Sequence, residues 1–383
     1  MKSDKGLGMP RIKETGIILR NPAPQFKSEQ AWMPGLVQLG DKEFLCVFKR
    51  AAAIEAVECY FARCRSTDGG KTYVDEGVLW GPEGDDKSYS YGYAYPELIA
   101  DGTLLLTGYR WDRSGQDRHI YNPDTLGAVP VDTLIFRSAD GGHTWSPPQV
   151  VNSPDGRMGN ASGRVVPLKD GRLLLPFETW KPYDDPNPPM QSSLALFSSD
   201  SGRTWDEYAV VAHDLEGRLL HWNGMFTRLQ DDRLFVMYWT KDYHTGQDLT
   251  VHATYSEDEG RTWVEPYDTG IEGQMGSSID VGGGRVLAVY NRRDVDNPGT
   301  YAVISEDGGR TWPPLEEHLV VWDARSRDIM GSRDQEDKSI YEEGLFAFGK
   351  PDAHLLPNGE VYVGYWCTSG FVCQLHWCRL QVE

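Results

Sequence analysis

An all-β, six-bladed propeller is the fold class this chain predicts, on three observations: an octapeptide occurs five times, a hairpin pattern occurs six times, and no long stretch carries helical periodicity. The octapeptide SxDxGxTW stands as STDGGKTY from Ser66, with Tyr73 in the place of Trp, then as SADGGHTW from Ser138, SSDSGRTW from Ser198, SEDEGRTW from Ser256 and SEDGGRTW from Ser305. An Asp carboxylate bonds to backbone N–H groups ahead of it and Gly accepts positive φ, so each box reads as a tight turn. Its aromatic residue is expected to fold back between neighbouring units. Identical chemistry in every unit assigns these Asp residues to architecture rather than to five separate sites.

The elements follow in chain order. ETGIILRNP is a lone strand. After it come six strand–turn–strand units, LVQLGDKEFLCVF, ELIADGTLLLTGY, VVPLKDGRLLLPF, FTRLQDDRLFVMY, SIDVGGGRVLAVY and HLLPNGEVYVGY, each an apolar run broken by a Gly-, Asp- or Asn-rich turn. The sixth unit is followed by FVCQLHWCRLQVE and no box. The count closes if the N-terminal strand completes the last blade, giving six four-stranded antiparallel blades in one domain over residues 11–383, with 1–10 as a tail. Two long polar connections, from Arg110 and from Asp323, read as lids over one face.

Composition narrows the partners. The chain has 383 residues, 39% of them hydrophobic, enough for a large core. Lys+Arg 38 against Asp+Glu 57 gives a net charge of -19, which repels polyanions and argues against nucleic acid. No apolar run has the length of a signal peptide or a membrane span, so a cytoplasmic location is expected, or secretion if a precursor was trimmed. The six cysteines show neither CxxC nor zinc spacing and read as core thiols. With no phosphate-binding Gly loop, HExxH or EF-hand pattern, no cofactor or metal is expected.

A propeller concentrates function on its axis, where the inner strands converge. Those strands begin AWMPG, YGYAYPE, GNASGR, HWNGM, GQMGSS and GKPDAH, a polar, aromatic and small set that suits a ligand pocket better than an aliphatic plug. The second strands, aligned on a shared aromatic, end FKR, YRW, FET, YWT, YNR and YWC, which brings Lys49, Arg50, Arg110, Glu178, Lys241 and Arg292 to one rim. Arg offers a bidentate fork for carboxylate or sulfate and Lys a point charge, so an anionic or uronate-like sugar is the expected partner. Trp32, Trp111, Trp180, Trp222, Trp239 and Trp366 supply faces on which a pyranose ring can stack. His221, Asn223, Gln274 and Lys350 join the binding set.

Cleaving a glycosidic bond takes two carboxylates, for which Glu178 and Asp352 are the first candidates. Tyr93 and Tyr95 offer a phenolic nucleophile or base, and His221 and His354 can move protons near neutral pH. The same Tyr and His groups would serve a lyase acting beside a uronate carboxylate.

The five boxes and six blades resemble the sialidase (neuraminidase) superfamily over essentially the whole chain. That resemblance implies a site on the axis where three arginines clamp a carboxylate, a Tyr backed by a Glu acts as nucleophile and an Asp as acid/base. This chain departs from the pattern. Where the family's first Arg belongs it reads AWMPGL, with Trp32; the fourth-blade Glu is replaced in HWNGM by Asn223 and Gly224; the sixth-blade Tyr is replaced in GKPDAH by Lys350, Asp352 and His354. Glu55 falls roughly where the family carries its acid/base Asp. The resemblance therefore implies a sialidase-like glycoside hydrolase on an acidic or otherwise unusual sugar, with Arg110, Arg292 and Lys350 as the clamp. The alternatives are a polysaccharide lyase and a glycan-binding propeller without chemistry.

Overall fold

The computed structural model describes residues 9–82, 88–115, 118–293, 297–324, 348–369 and 372–382. Six antiparallel sheets surround a common axis, and the inner strands of blades 4, 5, 6, 1 and 2 pack in turn each against the next. The inner strands of blades 1 to 6 are Gln30–Gln38, Tyr89–Leu98, Gly159–Ala161, Leu219–Arg228, Gln274–Gly282 and Phe348–Leu355. Arg11–Leu19 pairs with the C-terminal strand Val372–Gln381, Arg11 opposite Gln381 and Leu19 opposite Leu375, and so completes the sixth blade. Both chain ends thus seal the ring, as the strand count predicts.

Blade faces explain the strand composition. The middle strands are covered on both sides by neighbouring blades, so LLLPFET and SSLALFS of blade 3 are buried at every position. Fully burying one Leu or Phe is worth about 1.5–3 kcal/mol, and the ring repeats that gain at each junction between blades. The outermost strand of blade 1, VDEGVLW, has less cover and no fully buried position. None of the six cysteines is in a disulfide, and all but Cys373 are buried. The lid expected from Arg110 packs back on the rim, with Ile120, Ala128 and Val129 buried; the one expected from Asp323 falls almost wholly on residues 325–347, outside the described residues.

The repeated octapeptide staples each of the first five blades to the one before it in the ring. In blade 4, Ser256 Oγ donates to Asp258 Oδ1 (2.9 Å) and accepts the Gly260 N–H (2.9 Å), while Asp258 accepts from the backbone N–H and the hydroxyl of Thr262. The box glycine must be Gly. At Gly309 φ is +86, and a Cβ would lie 2.5 Å from the Phe235 ring of the preceding blade. Ser256→Ala leaves the buried Gly260 N–H without a partner and is expected to cost about 1–3 kcal/mol, read as a lower urea midpoint at unchanged slope.

One irregularity recurs at the same level of the ring. The pairing register skips between Trp32 and Gly35, Tyr91 and Ala94, Trp222 and Met225, Met275 and Ser277, and Gly349 and Asp352. Blade 3 goes further, because its inner strand is interrupted between Ala161 and Val166. Bulges re-aim side chains, and three bulge residues take left-handed backbone: Met33 (φ 59), Asn223 (φ 54) and Lys350 (φ 33). Holding a non-Gly residue there costs of order 1–3 kcal/mol, a strain that clusters at functional sites.

Candidate active site

All three strained residues line a small cavity of about 40 Å³ on the axis. Trp239, Asn291 and Trp366 reach it from second strands, each one residue beyond the shared aromatic, and Tyr93, Gln274 and Arg293 complete it. Cations, amides and aromatic faces therefore surround this small space.

Lys350 is the central charge. Its Nζ donates to Asn223 Oδ1 (2.8 Å) and sits 3.8 Å from the centroid of the Tyr93 ring. Burial pulls its ammonium down to about 7, against the opposing pull of Glu178 and Asp352. Glu178 stands behind Asn223, accepting the Asn223 N–H (2.9 Å) and the Asn160 amide (3.2 Å). Burial pushes its carboxyl up, and the Asn223 hydrogen bond and the charge of Lys350 offset this only in part. Burial also raises the Tyr93 phenol to about 12.

Below this level an ionic cluster fills the axis. Asp352 is 1% exposed; it is bonded to Arg164 through Oδ1, while its Oδ2 accepts the Leu36 N–H (2.7 Å) and contacts His354 (3.1 Å). Burial alone would raise its carboxyl, but Arg164 and His354 outweigh it and hold the group at about 2. Arg164 also faces Glu97 (3.7 Å), which burial pushes up to about 7. Tyr95 is buried among these groups and His354 is held below its ordinary value, first by burial. The axis is thus a pocket above and a polar plug below, where the sequence suggested a pocket throughout.

The remaining sequence-predicted residues lie around this centre. Trp180 belongs to an aromatic wall that runs from Tyr109 through Trp111 and Trp180 to Trp222 and Trp239. Trp32 is buried between blades. His221 meets His252 (3.2 Å), and burial followed by that neighbour pulls it down to about 4, so its ring is neutral across the physiological range. Glu55 lies in the loop after Arg50, near Lys49. Arg50 turns outward to Asp75 (2.7 Å) and Glu29 (3.3 Å), Arg110 pairs with Asp132 (2.9 Å), and Arg292 with Glu272 (3.0 Å).

A model of the BNR repeat-like domain matches residues 119–330, more than half of the chain. The chain belongs to the BNR repeat-like domain family. A sialidase of Micromonospora viridifaciens is 26% identical over 215 residues; the match covers 49% of this chain and 32% of that protein, so this BNR chain spans about a third of its curated relative. Among solved structures, a protein of unknown function from Dyadobacter fermentans superposes with a TM-score of 0.72 at 21% identity, covering 98% of this chain and all of that one. A Hadza microbial sialidase superposes with a TM-score of 0.61 at 17% identity, covering 91% of this chain and 65% of that one. At such identities the superpositions speak for the BNR propeller fold alone.

Two cations of this BNR site escape the sequence reading. Arg293 is adjacent to Arg292 in YNRR, just past the end of the second strand, and Arg293 rather than Arg292 lines the axis cavity. Arg164 comes from the interruption in the third inner strand, which no hairpin pattern signals. Doubled basic residues at a strand end are the one available cue.

Proposed function

We propose that this BNR propeller takes an acidic sugar residue into its axial funnel and cleaves the glycosidic bond next to it. The observation that carries this reading is the pairing of Lys350 and Arg293 in one cavity with the amides of Asn223, Asn291 and Gln274 and the rings of Tyr93, Trp239 and Trp366. The two cations would receive the sugar carboxylate, the amides its hydroxyls and the rings its apolar face. The sialidase relative, an enzyme of the glycoside-cleaving kind, supports hydrolysis as the reaction. In that reaction Glu178 would be the proton source, because burial pushes its carboxyl above the ordinary carboxylate range.

A second reading has its own support. Among the described residues no carboxylate lines the cavity itself, since Glu178 is behind Asn223 and Asp352 is occupied by Arg164. In elimination from a uronate, Arg293 would neutralise the carboxylate and the neutral Lys350 amine would take the proton on the adjacent carbon. The carbon–oxygen bond to the leaving sugar would break as the double bond forms, and Tyr93 would protonate the departing oxygen. Incubation with uronate- and sialate-capped oligosaccharides separates the two, because only elimination leaves an unsaturated product that absorbs in the ultraviolet. Hydrolysis predicts no such absorbance and a loss of turnover of roughly a hundredfold or more in Glu178→Gln with sugar affinity retained. Full turnover in that variant removes Glu178 from the mechanism.

A further inference from the structure

Two buried carboxylates flank the central charge of the axis, and neither touches it. Glu178 and Asp352 both favour the Lys350 ammonium, but among the described residues no carboxylate lies within ion-pair distance of its Nζ, which donates to Asn223 Oδ1 instead. Each acid is engaged elsewhere. Glu178 accepts the Asn223 N–H and the Asn160 amide, both neutral donors. Asp352 stands two residues after Lys350, just past the register skip, and is taken by a cation: Arg164 is bonded to its Oδ1. Arg164 reaches it from across the ring. It lies in the gap between Ala161 and Val166 of the third inner strand, a segment fixed by the Ser162 N–H donating to Pro176 O (3.1 Å) and by the Thr107 hydroxyl of blade 2 donating to Gly163 O (2.9 Å). Its Nη1 donates to Leu36 O (3.4 Å) while Asp352 Oδ2 accepts the Leu36 N–H, so blades 3, 6 and 1 meet in one closed set of bonds.

Resting on the axial reading above, we propose that Arg164 is a positioning residue for the acid-binding site: by engaging Asp352 it keeps that carboxylate from Lys350, whose charge is thereby left for the ligand. A buried carboxylate without a partner is costly, so an Asp352 released by Arg164 turns to the nearest remaining cation. His354 and Lys350 are the two within reach. Burial disfavours charge on His354 with or without Arg164, which leaves Lys350 as the partner that Asp352 would draw on. An arginine suits this post because its guanidinium stays charged and its fork serves Asp352 and Leu36 O at once.

The test uses the full chain. Calorimetry with glucuronic acid and N-acetylneuraminic acid, run below the Lys350 value of about 7, reads affinity; NMR of lysine side chains labelled with carbon-13 at Cε reads the titration of Lys350, whose resonance is assigned by its loss in Lys350→Met. Arg164→Met is expected to weaken acid binding about tenfold or more and to move the Lys350 titration to higher pH, because the released Asp352 charge then favours the ammonium. Arg164→Lys, which keeps a cation on Asp352, should leave both near wild type. Arg164→Met/Asp352→Asn removes the pair at unchanged net charge; it should return the titration to the wild-type midpoint or below and recover part of the affinity. Thermal melting checks that each variant folds, and Arg164→Gln carries the same expectation if the Met variant does not fold. A role confined to stability lowers the melting temperature and leaves affinity and titration in place, which overturns the proposal; so does a double variant that binds no better than Arg164→Met. If the wild type binds neither acid, the axial reading falls, and the Lys350 titration alone decides: moved in Arg164→Met and restored in the double variant, it keeps Arg164 as the guard of Lys350; unmoved, it removes that role.

Discussion

Lys350→Met is expected to weaken binding of an acidic sugar about a hundredfold while leaving the melting temperature unchanged or higher. The loss follows from removing the central cation of the cavity; a hydrogen bond to a charged group is worth about 1.5–3 kcal/mol, and here it forms away from water. The gain in stability follows from the same burial. An ammonium pulled down to about 7 is an ammonium the fold holds at a cost, on a backbone strained at φ 33. The pH dependence carries a definite sign: Lys350 is charged below about 7 and neutral above, so acidic-sugar affinity in the wild type should fall as pH rises through that value. The Met variant should show a shallower fall there, since the buried Glu97 and Glu178 carboxyls remain. Calorimetric titration between pH 5.5 and 8.5 measures both.

Asp352→Asn is expected to destabilise the chain by about 3–5 kcal/mol, among the largest effects of any single change near the axis. The substitution keeps the shape and removes the charge, which leaves Arg164 only the more distant Glu97 carboxylate and weakens the acceptor for the Leu36 N–H. The sign with pH is the opposite of that for Lys350 binding. Asp352 is held near 2 in the fold against an ordinary value near 4, so its stabilising effect is complete above about 4 and is lost as pH falls from there toward 2. Urea unfolding of wild type and variant at pH 7 and pH 3 tests this, with the gap between them expected to narrow at the lower pH. An Asn variant as stable as the wild type at pH 7 would mean that the plug is ornamental.

The ring was legible in the sequence because its signals are local and repeated. A box needs only Ser, Asp, Gly and Thr at fixed offsets, and a hairpin only a turn between apolar runs, so both survive variation in loop length. The strand starts brought Tyr93, Asn223, Gln274 and Lys350 to one place for the same reason. Arg50 and Arg292 show where such reading stops. Aligning the second strands on their aromatic finds the right rim, but Arg50 and Arg292 stand two residues past the aromatic and face away from Asn291, Trp239 and Trp366, which stand one past it. The bulges that turn Met33, Asn223 and Lys350 toward the axis depend on pairing partners distant in sequence, and Arg164 depends on a strand that breaks. Geometry of that kind is set by the assembled ring.

A crystal soaked in turn with glucuronic, galacturonic and N-acetylneuraminic acids tests the central claim most directly. The account predicts a bound sugar whose carboxylate lies within hydrogen-bond distance of both Lys350 Nζ and the Arg293 guanidinium. A carboxylate bound instead at Arg50 or Arg110, or a funnel that accepts neutral sugars and refuses all three acids, would contradict it.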